Sequence, residues 1–462
     1  MILSVDIGSV PGLTDYERNA ILDLIEIWAL HNGKNEEKNR YYEGKISLGS
    51  VNLGIALPLG LAGLEIGCSW GAKCVDVLAA RSMFDGFVGM NGEDVEALDN
   101  LVADNRLIAE YMKACRDELK YGCTFATLSA DKGIGCKIRF HSPETASAKW
   151  DGEAGRIAYG MAITATDHDD VYGVWAATEI VMHLDYEAVV FRKDGSIWRF
   201  ERYPHKMGRP LMEPLIWNAT SAKPFGRSRI KEPVRRLIQG YVRTIANATI
   251  GLEFATAPQK YLLGVTDDQY DVLINQKFRQ YVGNIIAATT NPETGEKPSF
   301  GQLTQGSISP HVEMIRILAT QFSAATGLTV TDTGVVNDAN PTSSDAILAQ
   351  SQTLVAMAEQ LNSGNGDALR MIAVMALAIM QDKTIEELDD EQKAVIAHFK
   401  NPAMPSVAVT TDAALKIASS RSGFAGTDTF LEMIGFDKAD IRRIKAQEQL
   451  NRGQQTLEEL GI

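Results

Sequence analysis

The sequence predicts an α+β fold in which a β-rich module sits between helical segments. Apolar residues recur at helical spacing up to about residue 121 and again after Pro233. Between residues 124 and 217, β-branched and aromatic residues rise and turn signals recur. The 45% hydrophobic and 23% charged content is that of an ordinary folded chain. Its 462 residues suffice for two to four domains.

In order along the chain, Thr14-Asp-Tyr-Glu17 is a capping-box pattern ahead of the apolar run 20–30, which predicts a first helix. The polar stretch 31–38 reads as a loop after it. A second amphipathic helix is expected over 93–121, with Leu98, Leu101, Ile108 and Met112 near helical spacing. Inside the β-rich module, Trp150-Asp-Gly-Glu-Ala-Gly-Arg156 separates two strands, and Lys193-Asp-Gly-Ser196 reads as a hairpin turn.

Residues 223–229 form a loop, and Pro233 suits the first turn of a helix whose inward face is Val234, Leu237, Ile238, Tyr241, Ile245 and Ala248. Residues 259–307 are mixed, with a turn-rich centre at 291–298. Ser309-Pro310 reads as an N-cap followed by proline at N1, with Met314, Ile317, Leu318 and Phe322 inward and Gly327 closing the helix. A polar loop follows to Pro341. Thr342-Ser-Ser-Asp345 opens the next helix, which Gly364-Asn-Gly366 is expected to break, with Asp367 capping a further apolar helix to Met380. Thr384-Ile-Glu-Glu387 is another capping box, and the rest reads as helical, ending in a charged amphipathic helix over 429–450.

The chemistry expected of an enzyme does not show. There is no GxxxxGK[ST], no GxGxxG opening a helix, no GxSxG and no HExxH. The seven histidines, His31, His141, His168, His183, His205, His311 and His398, are scattered. His168-Asp-Asp170 with Asp185 is either a carboxylate–histidine site or a solvated loop between strands. Asp267-Asp268 and Asp389-Asp-Glu391 suit solvated turns better than metal sites. No cofactor or metal is expected. The five cysteines include no CxxC pair and suit reduced thiols. No signal peptide is read at the start, and the most membrane-like stretch, 51–68, is interrupted by Asn52, Pro58 and Glu65, so no membrane partner is expected. A formal charge of −14 argues against a protein whose main work is to grip nucleic acid, and is compatible with a conduit that nucleic acid must slide through.

Several short motifs, in order, resemble the portal proteins of long-tailed bacteriophages. Asn39-Arg-Tyr-Tyr-Glu-Gly-Lys45 is similar to an early Tyr-Tyr-x-Gly-Lys segment, and His141-Ser-Pro-Glu144 with Trp150-Asp-Gly152 to strands of the family's wing. His205-Lys-Met-Gly-Arg-Pro210 resembles its His-x-x-Gly-x-Pro, and Pro224-Phe-Gly-Arg-Ser228 its Pro-x-Gly-x-Ser ahead of the first stem helix. Phe322-Ser-Ala-Ala-Thr-Gly327 and Asn340-Pro-Thr-Ser-Ser-Asp-Ala346 resemble the region around its tunnel loop. The chain departs from the pattern at Leu328-Thr-Val330, where many relatives carry a proline, and this puts the local loop conformation in question.

The resemblance implies a portal fold: an α/β wing (1–221), a first stem helix (222–258), a small α/β clip (259–308) and a second stem helix (309–326). A tunnel loop (327–341), helices returning to the wing (342–382) and an α-helical crown (383–462) complete it. It also implies a ring, typically of twelve copies, at a capsid vertex, with double-stranded DNA passing through. The implied partners are the terminase large subunit, a head–tail connector, and the major capsid and scaffolding proteins. The implied location is the virion, with assembly in the host cytoplasm. The runner-up is another structural virion protein, such as a capsid or connector component; a cytosolic enzyme of unrecognised fold is the third reading.

In that frame Thr329, Thr331, Asp332, Thr333, Asn337, Asp338 and Asn340 become tunnel-loop residues facing DNA. They are short, polar and lack a cation, which suits passage rather than capture. The same residues also suit an ordinary surface loop. The most basic stretch includes Lys223, Arg227, Arg229, Lys231, Arg235, Arg236 and Arg243 against Glu232 alone. Arg235, Arg236 and Arg243 either line the stem near phosphates, or pair with carboxylates or solvent. Tyr270, Tyr281 and the 292–298 turn are the clip's candidate docking residues, or part of a plain hairpin insertion.

Overall fold

A computed structural model of the chain describes residue 7 and residues 10–47, 65–89, 96–169, 174–195, 197–256, 260–263, 295, 297, 299–302, 307–335, 344–403, 407–421, 423–436 and 438–459. Two compact units emerge, Met1–Lys400 and Asn401–Ile462. The first unit begins with helix α1 (Asp15–Tyr42), a short antiparallel pair β1 (Lys45–Ser47) and β2 (Glu65–Gly67), α2 (Trp70–Ala79) and strand β3 (Phe84–Val88). Helices α3 (Glu96–Asp104) and α4 (Leu107–Tyr121) lead into eight strands: β4 (Cys123–Asp131), β5 (Gly135–His141), β6 (Ala146–Asp151), β7 (Arg156–Asp169), β8 (Val174–His183), β9 (Glu187–Asp194), β10 (Ile197–Pro204) and β11 (Met212–Ile216). Then come α5 (Glu232–Thr256), the pair β12 (Lys260–Leu263) and β13 (Ser299–Gln302), α6 (Ser309–Thr326), α7 (Ser344–Gln381), the one-turn α8 (Asp390–Lys393) and β14 (Ile396–Phe399). The second unit holds α9 (Val407–Ser420), α10 (Asp428–Ile434) and α11 (Lys438–Glu459), with Lys445 paired to Asp428 between the last two.

The capping box forms as the sequence predicts: Thr14 N donates to Glu17 Oε2 at 2.6 Å, and Glu17 N donates to Thr14 Oγ1 at 3.2 Å. The expected loop at 31–38 is helix instead, because α1 runs unbroken to Tyr42. That stretch lacks proline, and long-range bonds hold its polar side chains in place. Asn35 Nδ2 donates to Pro143 O at 3.4 Å and Lys38 Nζ to Tyr121 O at 3.0 Å. At the far end α1 touches the start of α2 so closely that a Cβ on Gly71 would lie 2.0 Å from Tyr41 O.

The single helix expected over 93–121 is two. Arg106 adopts φ 50° between α3 and α4. The buried Asn105 explains the break: its amide donates to Leu101 O and to Cys136 O on β5, and it accepts from Ile138 N at 2.9 Å. A continuous helix would leave the edge of β5 without that partner.

The β-rich module forms two antiparallel sheets. A five-stranded meander, β10-β9-β8-β7-β6, lays Met161, Ile163, Ile180, Met182, Val189, Phe191 and Trp198 against Ala20, Ile21, Leu24, Ile25 and Trp28 of α1. The predicted hairpin is present, with Asp194 opposite Ile197 and Gly195 at φ +60°. A three-stranded sheet, β11-β4-β5, has two packed faces. Cys123 and Phe125 point to β6 and β7, whereas Ala126 and Leu128 join the main core with α4 and α7.

The Gly364-Asn-Gly366 break does not occur; α7 is one helix of 38 residues. Two interior glycines cost about 1 kcal/mol each, and a buried network offsets this. Asn365 Nδ2 donates to Tyr111 OH at 2.9 Å and to Glu118 Oε2 at 2.8 Å, and Tyr111 OH lies 2.6 Å from Ser82 Oγ. Burial pushes the Glu118 carboxyl up to about 8, against the Asn365 hydrogen bond that lowers it. The capping-box bonds between Thr384 and Glu387 also form, but on a turn rather than a helix. The tail of this unit is not purely helical, because β14 pairs antiparallel with β3.

Candidate functional site

Residues 224–228 lead into one helix of an antiparallel hairpin and residues 322–327 close the other. Arg229, just before α5, bonds to Thr326 at the end of α6, and Gly240, early in α5, faces Leu318 in mid-α6. At the other end β12 and β13 pair antiparallel, joining the C-terminal end of α5 to the N-terminal end of α6. The two helices are therefore antiparallel. Their interface is Val234, Ile238, Val242 and Ala246 of α5 with Leu318, Ala319 and Phe322 of α6, all within the main core. Val242 and Ala246 extend the i, i+4 stripe on from Ile238 and replace Ala248, which is half-buried.

Helix α6 departs from expectation at both ends of the reading. Ile308 is the N-cap, so Ser309 and Pro310 are already inside the helix. Met314 and Ile317, placed inward by spacing, are 44% and 50% exposed. The position of α5 decides the buried side, and it selects Leu318, Ala319 and Phe322. Val312 and Leu263 are also exposed, so four large apolar side chains along this hairpin face outward from the described residues. Gly327 ends α6 in the left-handed region, φ 72°, as its position predicts.

Arg229 is the best-held cation of the basic stretch. It is 5% exposed; Nε donates to Cys74 O at 2.5 Å and Nη2 to Thr326 O at 2.6 Å, with the guanidinium 5.8 Å from the Trp217 ring. This ties α2, α6 and the loop before α5 together, and nothing in the local sequence separates it from its exposed neighbours. Arg235 turns towards α1: Nη1 donates to Ile230 O at 3.0 Å and Nε lies 3.6 Å from Glu37. Arg236 is exposed and 3.2 Å from Glu232, one turn back. Arg243 is exposed on α5. The three arginines are thus not brought together, and Arg235 braces the α1–α5 contact.

The first half of the candidate tunnel loop is built. Thr331–Thr333 is a single 3-10 turn. Asp332 Oδ2 accepts from Thr329 N at 2.9 Å and Thr329 Oγ1 at 2.8 Å, while Asp332 N donates to Thr329 Oγ1 at 3.2 Å. Trp70 Nε1 donates to Thr333 O at 3.1 Å, and the same indole packs on Tyr241 and Phe322 at 4.5 and 4.8 Å. Leu328, at the departure from the family pattern, is 3% exposed and part of the core, so an apolar anchor holds this turn. Thr329, Asp332 and Thr333 use their polar groups within the turn and against α2, and Thr331 is exposed. Asn337, Asp338 and Asn340 lie outside the described residues, as do Tyr270, Tyr281 and most of the 292–298 turn.

The other candidates do not assemble. His168 lies opposite Trp175 at the start of β8, and Asp185 follows the far end of that strand, paired with Arg156 at 3.9 Å. Ten residues of strand, roughly 30 Å, separate them. Among the described residues no group of three metal-ligating side chains converges, and no helix is long and apolar enough to cross a membrane. All five cysteines are free and buried, and burial raises the pKa of each thiol.

No protein-family model matches the chain, and no curated protein matches it. A chain in the virion of a native gene transfer agent particle is similar at 13% identity and a TM-score of 0.47, over 79% of this chain and 89% of that one. A chain in the neck of an empty particle, computed with C6 symmetry, is similar at 12% identity and a TM-score of 0.47, over 86% and 99% of the two chains. The neck of the native particle computed with C12 symmetry contains a chain similar at 12% identity and a TM-score of 0.46, over 79% and 89%. Likenesses of this size assign no role to any residue of this chain.

Proposed function

We propose that this chain is the portal subunit of a tailed-phage-like particle: a non-enzymatic ring, about twelve copies around, through which double-stranded DNA passes. The observation that carries the reading is the antiparallel hairpin α5–α6, with a β pair at its tip and a tight polar turn leading into the long α7. Residues 224–228, just before α5, and 322–327, at the end of α6, are the motifs that resemble portal sequences here, which supports the reading. The exposed apolar side chains Leu263, Val312, Met314 and Ile317 give neighbouring copies something to bury. A head-to-tail interface that closes makes a ring. A separate terminase motor would supply the force for packaging, with the connector and the capsid and scaffolding proteins docking on the ring.

The test is native mass spectrometry with negative-stain imaging of the purified chain. At 50.4 kDa per copy, a twelve-membered ring weighs about 600 kDa and has a central hole. A monomer or dimer that stays so when co-expressed with the capsid protein would refute the proposal.

A further inference from the structure

One cleft of the first unit has a chemistry at odds with the rest of the chain. It measures about 610 Å³ and lies between α1, β6 and the loop before α5. Six cations line it, Lys34, Lys38, Lys223, Arg227, Lys231 and Arg235, and no carboxylate does. Its floor is apolar, built from Trp28, Phe125 and Phe225 with small alanines. Lys38 is held by Tyr121 O and Asn35, and Arg235 has Glu37. Lys34, Lys223, Arg227 and Lys231 are exposed with no carboxylate partner among the described residues. Concentrating cations in a chain of net charge −14 leaves the remaining surface more acidic still.

The complementary surface is on the same unit. From the turn after α7 into the first residues of α8, Glu386, Glu387, Asp389, Asp390 and Glu391 are all exposed, while Leu388 pins the segment into the main core at 3% exposure. Met380 and Ile396, which flank this run in sequence, are 38% and 50% exposed, so apolar side chains accompany the carboxylates. The two surfaces are distinct, since none of residues 386–391 lines the cleft. Cys123 and Phe125 point into the cleft, and the alternating Ala126 and Leu128 point into the core that Leu388 joins. The two patches are unlike and complementary, and among the described residues no ion pair joins them: Arg235 has Glu37 and Asp390 has Lys393. They suit a heterologous contact, the kind that propagates from copy to copy.

We infer that the cationic cleft of one copy receives the acidic 386–391 segment of the next, making a salt-sensitive head-to-tail contact. This rests on the proposal that the chain forms a ring. Electrostatic complementarity of this kind sets register and the rate of encounter.

The experiment compares three proteins with the wild type, each first checked for an unchanged circular dichroism spectrum. They are Lys34→Glu with Lys231→Glu, Glu386→Lys with Glu391→Lys, and all four changes together. Assembly is read by sedimentation velocity over a concentration series at low and high salt. The inference expects each two-site variant to need at least tenfold more protein to assemble, and the four-site variant to return to within threefold of wild type. It also expects the wild-type midpoint to rise with salt. Wild-type rings with both two-site variants assembling normally would overturn the contact and leave the ring proposal standing. A wild type that never assembles would overturn the ring proposal itself.

Discussion

The Glu118 carboxyl is the most informative single perturbation. It is fully buried, its Oε2 accepts from Asn365 at 2.8 Å, and its Oε1 has no partner among the described residues. Its pKa is raised from 4.5 to about 8, mainly by burial. The folded state therefore holds a proton that the unfolded state releases between these values. Stability is full below about pH 4.5, falls by about 1.4 kcal/mol per pH unit above it, and levels off beyond pH 8. At pH 7.5 the loss amounts to roughly 3–4 kcal/mol. Glu118→Gln keeps the volume and an acceptor for Asn365 but cannot ionise, so it removes that loss. With about 2.1 cal/mol/K of unfolding entropy per residue, the unit Met1–Lys400 shifts by about 1.2 °C per kcal/mol, which predicts a gain of about 4 °C at pH 7.5. At pH 5 the two proteins should melt within a degree of each other. The assay is differential scanning calorimetry of both proteins from pH 5 to 8.5. A melting difference that does not change with pH, or a less stable variant at pH 7.5, would refute the reasoning.

Three further outcomes follow from named contacts. Arg229→Met strands the carbonyls of Cys74 and Thr326 in the core and should cost about 2–4 kcal/mol, seen as a lower melting temperature with unchanged helix content. Gly71→Ala should cost about 3 kcal/mol or more, because its Cβ meets backbone at 2.0 Å, whereas Gly33→Ala in open space on α1 should gain up to about 1 kcal/mol; urea titrations of the pair distinguish packing from propensity. Arg236→Glu, exposed on the hairpin, should leave assembly intact and block DNA packaging if that face meets phosphates; normal DNA-filled heads would remove it from the channel.

The sequence disclosed elements whose causes are local. The Thr14–Glu17 capping box, the Asp-Gly turn between β9 and β10 and the left-handed Gly327 each depend on a few consecutive residues. Where distant groups decide, local reading failed. Residues 31–38 stay helical partly because Asn35 and Lys38 reach carbonyls over eighty residues away. The 93–121 helix breaks because Asn105 serves β5, and α7 runs through two glycines because Asn365 is held by α4. In the candidate site, Arg235 and Arg236 look alike in sequence. They are one residue apart, hence about 100° apart around α5, and only the docking of α1 decides which one is braced. The uncovered positions Met314 and Ile317 were illegible for the same reason: spacing identifies an apolar stripe but not which part of it a neighbour covers.

Helix α7 has a mechanical property that follows from its anchoring. Its 38 residues span about 57 Å. Near the middle the backbone is at its most compliant, since Gly364 and Gly366 stand one on each side of Asn365. At that same point the side chain is bolted to α4 by two buried hydrogen bonds. A beam softened at mid-span and pinned there behaves as two stiff arms about a fixed fulcrum. A push on the arm whose Thr353 and Met357 lie against Gly327 is then borne at the Asn365 pin before it reaches the arm whose Met380 lies against Gly135 of β5.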